Sequence, residues 1–549
     1  MAPKQISCKV LKTVLLLTII AFIPLAFEPL LDVSSAEPAG VYSYEFIVDK
    51  DGFTIVNIVY RTERKSGSSW VFVPKFDEWT NLTTAGKMTG WTLRNTEDLV
   101  DGSYYFYQAL YFSFKSDGAA FELNIQFNLS AGAIIIEPNG IFYSSQIGFE
   151  KGNKLIAKVI LPEGFGAKPD EAIAFGVSGS YRPNSKSTSN SILFDTIPQD
   201  ENLLRIEVGF HTSNDTADLL ELKNQVFTFE TVPRYAEYAE KILDLYNKTY
   251  DELVDLFNVT LEKATVRFFV PDFNSLLSIG GYVPFSAKEI GDIHINIIFT
   301  RYVEGYIEVI ALHELVHQFL WKAGVSPRSL LWFHEGMAQY VSIEIASKIG
   351  YEGAEMTREE LEKGVAQLKE TIGENFGFLK QWSPSQQPRD LGSYYIAAYY
   401  VIKSLAEPRG NLAYYARFFK LINGERIDGN AALVYYLSLA ANESVVEKLN
   451  NWGFGIPDLY VYSDLLTKVK QVLKEINPVF QPYKALAEFL YVQGMLNAKE
   501  DSLNYMHFYL AAAIFVAKLA PLLTLITVSG VLFGAILWAL KAEGVFSNY

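Results

Sequence analysis

The stretch from Leu519 to Leu540 holds 22 residues without one charge. In water such a run has no face to solvate. In a bilayer its stable form is a helix, which satisfies its own backbone hydrogen bonds. At 1.5 Å per residue it reaches about 33 Å, enough to cross about 30 Å of hydrocarbon. Trp538 sits near one interface, and Lys541 follows as a stop-transfer charge. Pro521 falls near the start, where a membrane helix tolerates it. A second apolar stretch, Phe508 to Ala517, precedes the run across Lys518. It either lengthens the helix or lies on the surface.

The other end reads as a secretory signal over residues 1–36. Lys4, Lys9 and Lys12 form a basic start, and Val14 to Phe27 is an apolar run interrupted by Pro24. Small residues Ser34, Ser35 and Ala36 place cleavage after Ala36; the other reading is a retained N-terminal anchor. A signal and a stop-transfer helix predict a single-pass protein of the cell membrane. Residues 37 to about 505 would lie outside, and Lys541 to Tyr549 in the cytoplasm. Asn-x-Ser/Thr sequons at Asn81, Asn128, Asn214, Asn247, Asn258 and Asn442 fit an exported domain.

The net charge of −15 argues against nucleic acid as a partner, which needs clustered Lys and Arg. The single cysteine, Cys8, lies in the presequence, so a mature chain has no disulfide, thiolate ligand or cysteine nucleophile. Any metal must then use His, Asp or Glu. Of six histidines, His313, His317 and His334 fall within 22 residues.

A chain of 549 residues divides into several domains. Residues 37–222 carry short alternating segments rich in Val, Ile, Tyr and Phe: Tyr42–Val48, Thr54–Tyr60, Ser69–Val73, Tyr104–Phe114, Phe121–Leu129 and Lys154–Leu161. They predict an all-β, sandwich-like N-terminal domain. From Tyr235 to Phe257 the apolar spacing becomes helical. Strands are expected at Thr265–Val270 and Ile293–Phe299. Helices are expected at about 304–323, 330–349, 356–373, 392–406, 411–423, 430–449, 458–475 and 483–499. The reading is a multidomain chain: an α+β catalytic domain over 223–385, a helical C-terminal part over 386–505, then the single transmembrane helix and tail over 506–549.

Residues 313–317 read His-Glu-Leu-Val-His. On a helix, positions i and i+4 share a face, so His313 and His317 can point at one metal. Glu314 stands beside them, able to hold a water. The alternative is two satisfied histidines on a buried helix. Residues 332–340 read Trp-Phe-His-Glu-Gly-Met-Ala-Gln-Tyr, placing Glu335 on a second predicted helix 18 positions after His317. A carboxylate among such apolar neighbours needs a cation, and two His with one Glu leave a fourth zinc position open. His334 either hydrogen-bonds near the metal or packs. His294, in Asp-Ile-His-Ile-Asn, reads as structural or cleft-lining.

These two segments resemble the gluzincin metallopeptidases, closest to the aminopeptidase-N-like branch, whose pattern is HExxH followed by Asn-Glu-Gly-Phe-Ala. Here His334 replaces the Asn and Met337 the Phe. The resemblance implies a thermolysin-like catalytic domain, one Zn2+ per chain on His313, His317 and Glu335, and Glu314 as general base. Residues 395–405, YIAAYYVIKSL, resemble the family helix with an oxyanion-stabilising tyrosine, which implies that role for Tyr395, with Tyr394 and Tyr399 as rivals. The branch's Gly-x-Met-Glu-Asn segment has its nearest counterpart in Gly280-Gly281-Tyr282-Val283-Pro284, where Val283 replaces the amine-binding acid. Both exo- and endopeptidase action on a peptide or protein substrate therefore stand. A reading from another class is a cell-surface binding or adhesion module with a structural or inactive zinc site.

Overall fold

The computed structural model describes residues 40–542 except 102–103, 105, 117, 119, 185, 271–278, 287, 302–303, 386–387, 389 and 497–502. The expected signal segment with Cys8, and the tail from 543, lie outside the described residues. The described residues form two compact units: Gly40–Ala133 with Phe142–His211, and Ile134–Ile141 with Thr212–Ala542.

The first unit is built of β-sheets. Its early strands are β1 (Val41–Val48), β2 (Thr54–Thr62), β3 (Ser66–Pro74), β4 (Trp79–Ala85), β5 (Lys87–Arg94), β6 (Tyr107–Lys115) and β7 (Phe121–Leu129). After β8 (Ala133–Ile136) and β9 (Asn139–Tyr143), most of whose residues belong to the second unit, the first unit resumes with β10 (Ile147–Gly148), β11 (Lys154–Ile160), β12 (Gly166–Gly176), β13 (Ser180–Tyr181), β14 (Ser191–Phe194) and β15 (Leu203–His211). One sheet runs β14-β11-β1-β2-β7-β4, and a second runs β3-β6-β5. Alternation sends Tyr42, Tyr44 and Phe46 of β1 to the buried face. There the two sheets share aromatic side chains. Tyr60 meets Phe112 edge-on at 5.4 Å between ring centres, and Phe114 stacks on Phe121 at 4.5 Å. The buried Tyr42 hydroxyl donates to Trp70 O at 3.0 Å and accepts from Ser69 Oγ at 2.7 Å.

The second unit opens with a five-stranded sheet ordered β16 (Leu220–Lys223), β17 (Phe227–Thr231), β18 (Ala264–Phe269), β20 (Ile293–Asn296) and β19 (Gly281–Tyr282). β17, β18 and β20 are parallel, and β19 pairs antiparallel along the outer side of β20. The helices are α1 (Ala236–Phe257), α2 (Tyr306–Lys322), α3 (Leu331–Ile349), α4 (Glu352–Ile372), α5 (Leu391–Ala406), α6 (Leu412–Ile422), α7 (Asn430–Ala441), α8 (Val446–Asn451), α9 (Ser463–Glu475), α10 (Gln481–Leu496) and α11 (Leu503–Ala542). α2 packs against β20, α3 and α1, and α3 packs against α5.

Two expectations need correction, and one open alternative is decided. The strand expected over 293–299 stops at Asn296, whose side chain accepts from Ile298 N at 3.1 Å and turns the chain into a 3-10 segment. The helix expected over 430–449 breaks at Asn442, which takes the left-handed conformation at φ 56°. Phe508–Ala517 is continuous with the charge-free run in one 40-residue helix, α11. That helix has a 38-residue stretch long and apolar enough to cross a membrane. Strands β4 and β5 have no counterpart in the expectations, because their exposed, Thr-rich sequences lack a core-facing apolar rhythm.

Tyr42→Phe removes a hydroxyl that completes two buried hydrogen bonds. It should lower the unfolding free energy of the first unit by about 1–2 kcal/mol, read from chemical denaturation of wild type and variant; equal stability would show that these bonds contribute nothing net.

Candidate metal site

α2 and α3 are apolar on nearly all sides, so each is held by neighbours throughout its length. Three of their polar side chains meet one another. His313 and His317, one turn apart on α2, turn their Nε2 atoms toward the same oxygen of Glu335 on α3. The distances to Glu335 Oε2 are 3.2 Å from His313 and 3.5 Å from His317. All three side chains are nearly enclosed, at 12 to 13% exposure. One donor atom from each lies within 4.8 Å of the others, a cluster able to hold a metal ion. Two imidazole nitrogens and a carboxylate oxygen suit a borderline divalent cation.

Glu314 is the fourth member. It is 4% exposed, and its Oε2 has no hydrogen-bond partner among the described residues. Burial pushes its carboxyl up to about 8; the charge of His317 opposes this and that of Glu335 adds to it. For Glu335 burial acts in the same upward direction, but His317 first, then the hydrogen bonds from both histidines, outweigh it and hold the carboxyl well below the usual range. A buried carboxyl with one unpartnered oxygen, beside three groups able to ligate a metal, is a feature that a cation would satisfy.

β19 runs over this floor. A Cβ at Gly281 would sit 2.6 Å from Glu314 Cγ and 2.7 Å from His294 O, so only glycine allows the strand this close. Asn296 N donates to Gly280 O at 2.8 Å, and the Asn296 amide donates to Ile279 O at 2.8 Å, anchoring the approach. Tyr282 stacks on His294 with ring centres 4.5 Å apart and planes 7° from parallel. His294 is thus part of the rim beside β19. The steric role of Gly281 was missed, although the Gly-Gly pair at 280–281 was a visible signal of a close backbone approach.

His334 faces away from ligation. Its ring lies 5.7 Å from that of His317, but Nε2 donates to Val325 O at 2.8 Å. Burial, followed by the charge of His317, pushes it down to about 3. It packs the floor as a neutral imidazole.

Tyr395 comes from α5, which approaches α3 at Gly336; a Cβ there would meet Ala398 O at 2.7 Å. Trp382 holds the Tyr395 ring edge-on at 5.1 Å. Burial, then the charges of Glu335 and Glu314, push its phenol well above the ordinary value. Its rivals face elsewhere. Tyr394 packs on Phe378 and Trp382, and Tyr399 has Lys403, Glu362 and Arg358 as its charged neighbours. Of the three tyrosines, Tyr395 is the one brought to Glu335 and Glu314.

No protein-family model matches the chain, and no curated protein matches it.

The buried carboxyl predicts a pH dependence in chelated protein. Folded Glu314 keeps its proton to about pH 8, whereas an ordinary Glu loses it near 4.5. The folded state therefore binds more protons in that window, and its stability falls as pH rises. His334 acts oppositely, but only between about 3 and its ordinary 6.5. Stability gained from Glu335 is complete above its ordinary 4.5. From pH 6.5 to 8 the chelated wild type should lose stability relative to Glu314→Gln, by up to about 1.4 kcal/mol per pH unit. Parallel denaturation profiles would contradict the protonated Glu314.

Proposed function

We propose that the protein is a membrane-anchored zinc metallopeptidase of gluzincin type, with a sandwich-like N-terminal domain and a thermolysin-like catalytic domain held on the extracellular side. The observation that carries this reading is the convergence of His313, His317 and Glu335 on one point, with the Glu314 carboxyl, whose Oε2 is unpartnered, beside it. A purely structural metal site has no use for Glu314. The sequence resemblance of HELVH, WFHEGMAQY and the Tyr395 helix to that family supports the same conclusion.

His313, His317 and Glu335 would hold Zn2+, which supplies Lewis acidity at a substrate carbonyl and favours ionisation of water. Next to a dication the Glu314 carboxyl would fall from its raised value and become a usable base. Glu314 would accept a proton from the attacking water and deliver it to the leaving amine. The Tyr395 hydroxyl, kept protonated by its surroundings, would donate to the oxyanion that develops. Gly281 would keep Glu314 against the cleft wall while leaving room for an extended peptide beside β19. Val283 offers no charge for a substrate's amino terminus, which favours cuts within a chain.

The test is digestion of a mixed peptide library by full-length protein in detergent, with cuts mapped by mass spectrometry and zinc measured per chain. We expect about one zinc and metal-dependent cuts. Glu314→Gln should keep the zinc and lose roughly 10²- to 10⁴-fold in rate. Wild-type cleavage by that variant, or zinc retained with no cleavage by the parent, would contradict the peptidase reading.

A further inference from the structure

α11 is 40 residues long. At 1.5 Å per residue that is about 60 Å, twice what a hydrocarbon core needs. Its two halves differ. In the first, Met506, Leu510, Ala513, Ala517 and Ala520 recur at three- and four-residue spacing and are buried against α9 and α10. In the second, Leu522, Leu525, Ile526, Val531, Leu532, Phe533 and Trp538 are all exposed.

α10 lies antiparallel to the first half. Near its end, a Cβ at Gly494 would contact Tyr509 and Leu510. Near its start, the Tyr483 hydroxyl donates to Leu523 O at 3.2 Å and also meets Thr527. Leu523 is four residues inside the charge-free run that begins at Leu519, so Tyr483 stands about 6 Å past the start of that run. The antiparallel register carries the preceding 3-10 turn, Pro478–Phe480, further along α11, which that turn contacts. Val479 in the turn is 73% exposed. Ile476 to Tyr483 contains no charge; Glu475 and Lys484 border it, with Lys474 one position further out.

On the reading that α11 spans the membrane, we infer that the α9–α10 turn is a second membrane contact, a foot set into the same leaflet that α11 enters. The partner is the lipid surface. Val479 is level with a segment of α11 whose exposed side chains only acyl chains can cover, and its own apolar surface is continuous with theirs. Tyr483 is an aromatic of the kind that favours the interface. Lys474 and Lys484 can extend along the foot and place their charges among phosphates. Leu486 and Phe489, also exposed, continue the apolar face of α10 upward from the turn. Two contacts, one spanning and one shallow, would restrain the helical end of the second unit against swivelling.

The test uses full-length protein in nanodiscs of phosphatidylcholine and phosphatidylglycerol. Cys8, the single cysteine, is replaced by serine, and spin labels are placed singly at Val479→Cys, Val492→Cys, Leu532→Cys and Leu82→Cys. Collision with oxygen should exceed collision with a water-soluble nickel chelate at 479 and 532. The order should reverse at 82, with 492 closer to the aqueous pattern than 479. Aqueous behaviour at 479 with lipid behaviour at 532 overturns the foot and leaves the spanning helix standing. Aqueous behaviour at 532 removes both. Dipolar broadening between labels at 479 would show a second copy of the chain on this patch and would also overturn the foot.

Discussion

The buried carboxylate of Glu335 holds its charge only because His313 and His317 face it, and the arrangement of the second unit follows from bringing those three together. A lone ion in such surroundings costs several kcal/mol. One turn of α2 supplies both imidazoles, and α3 must cross at the height that meets them. Gly336 then lets α5 come close to α3 and delivers Tyr395, while Gly281 lets β19 lie on Glu314. Removing the cleft's glycines would separate these elements as surely as removing its polar groups.

Glu314 shows how one position serves two demands. It shares a helix face with apolar residues that pack the core, and burial raises its carboxyl far above the ordinary range. The same burial makes it sensitive to a nearby positive charge, since little water screens the interaction. The floor beneath is made insensitive: His334 is tied to Val325 O and kept neutral. The C-terminal end carries a separate device, a helix about twice as long as a hydrocarbon core is thick, with one face of its first half buried against α9 and α10 and apolar side chains exposed along its second half.

Periodicity made much of this legible. Phe121–Leu129 appears at its expected bounds, and the expected helix over 330–349 is matched by Leu331–Ile349, because strong apolar rhythm and long-range burial agree there. Legibility ended where local chemistry overrode rhythm. The Asn296 side chain ends a strand early, Asn442 breaks a helix, and β4 and β5 form with almost no buried face. At the site, His313, Glu314, His317 and Glu335 were readable from spacing, since a helix fixes which side chains share a face. Choosing Tyr395 over Tyr394 and Tyr399 depends on how α5 crosses α3, a relation that spacing along one chain does not carry. The contact of Gly281 with Glu314 joins residues 33 positions apart in sequence through sheet geometry; glycine alone signalled it.

If His313, His317 and Glu335 bind one zinc ion and leave one position free, zinc-edge X-ray absorption on the full-length protein will show the shell itself: two imidazole nitrogens and a carboxylate oxygen at about 2.0–2.2 Å, one further light-atom neighbour and no sulfur. His317→Ala should lose one imidazole's scattering and much of the bound zinc. Failure to retain zinc after dialysis, or a shell with fewer than two imidazoles in the wild type, would contradict it.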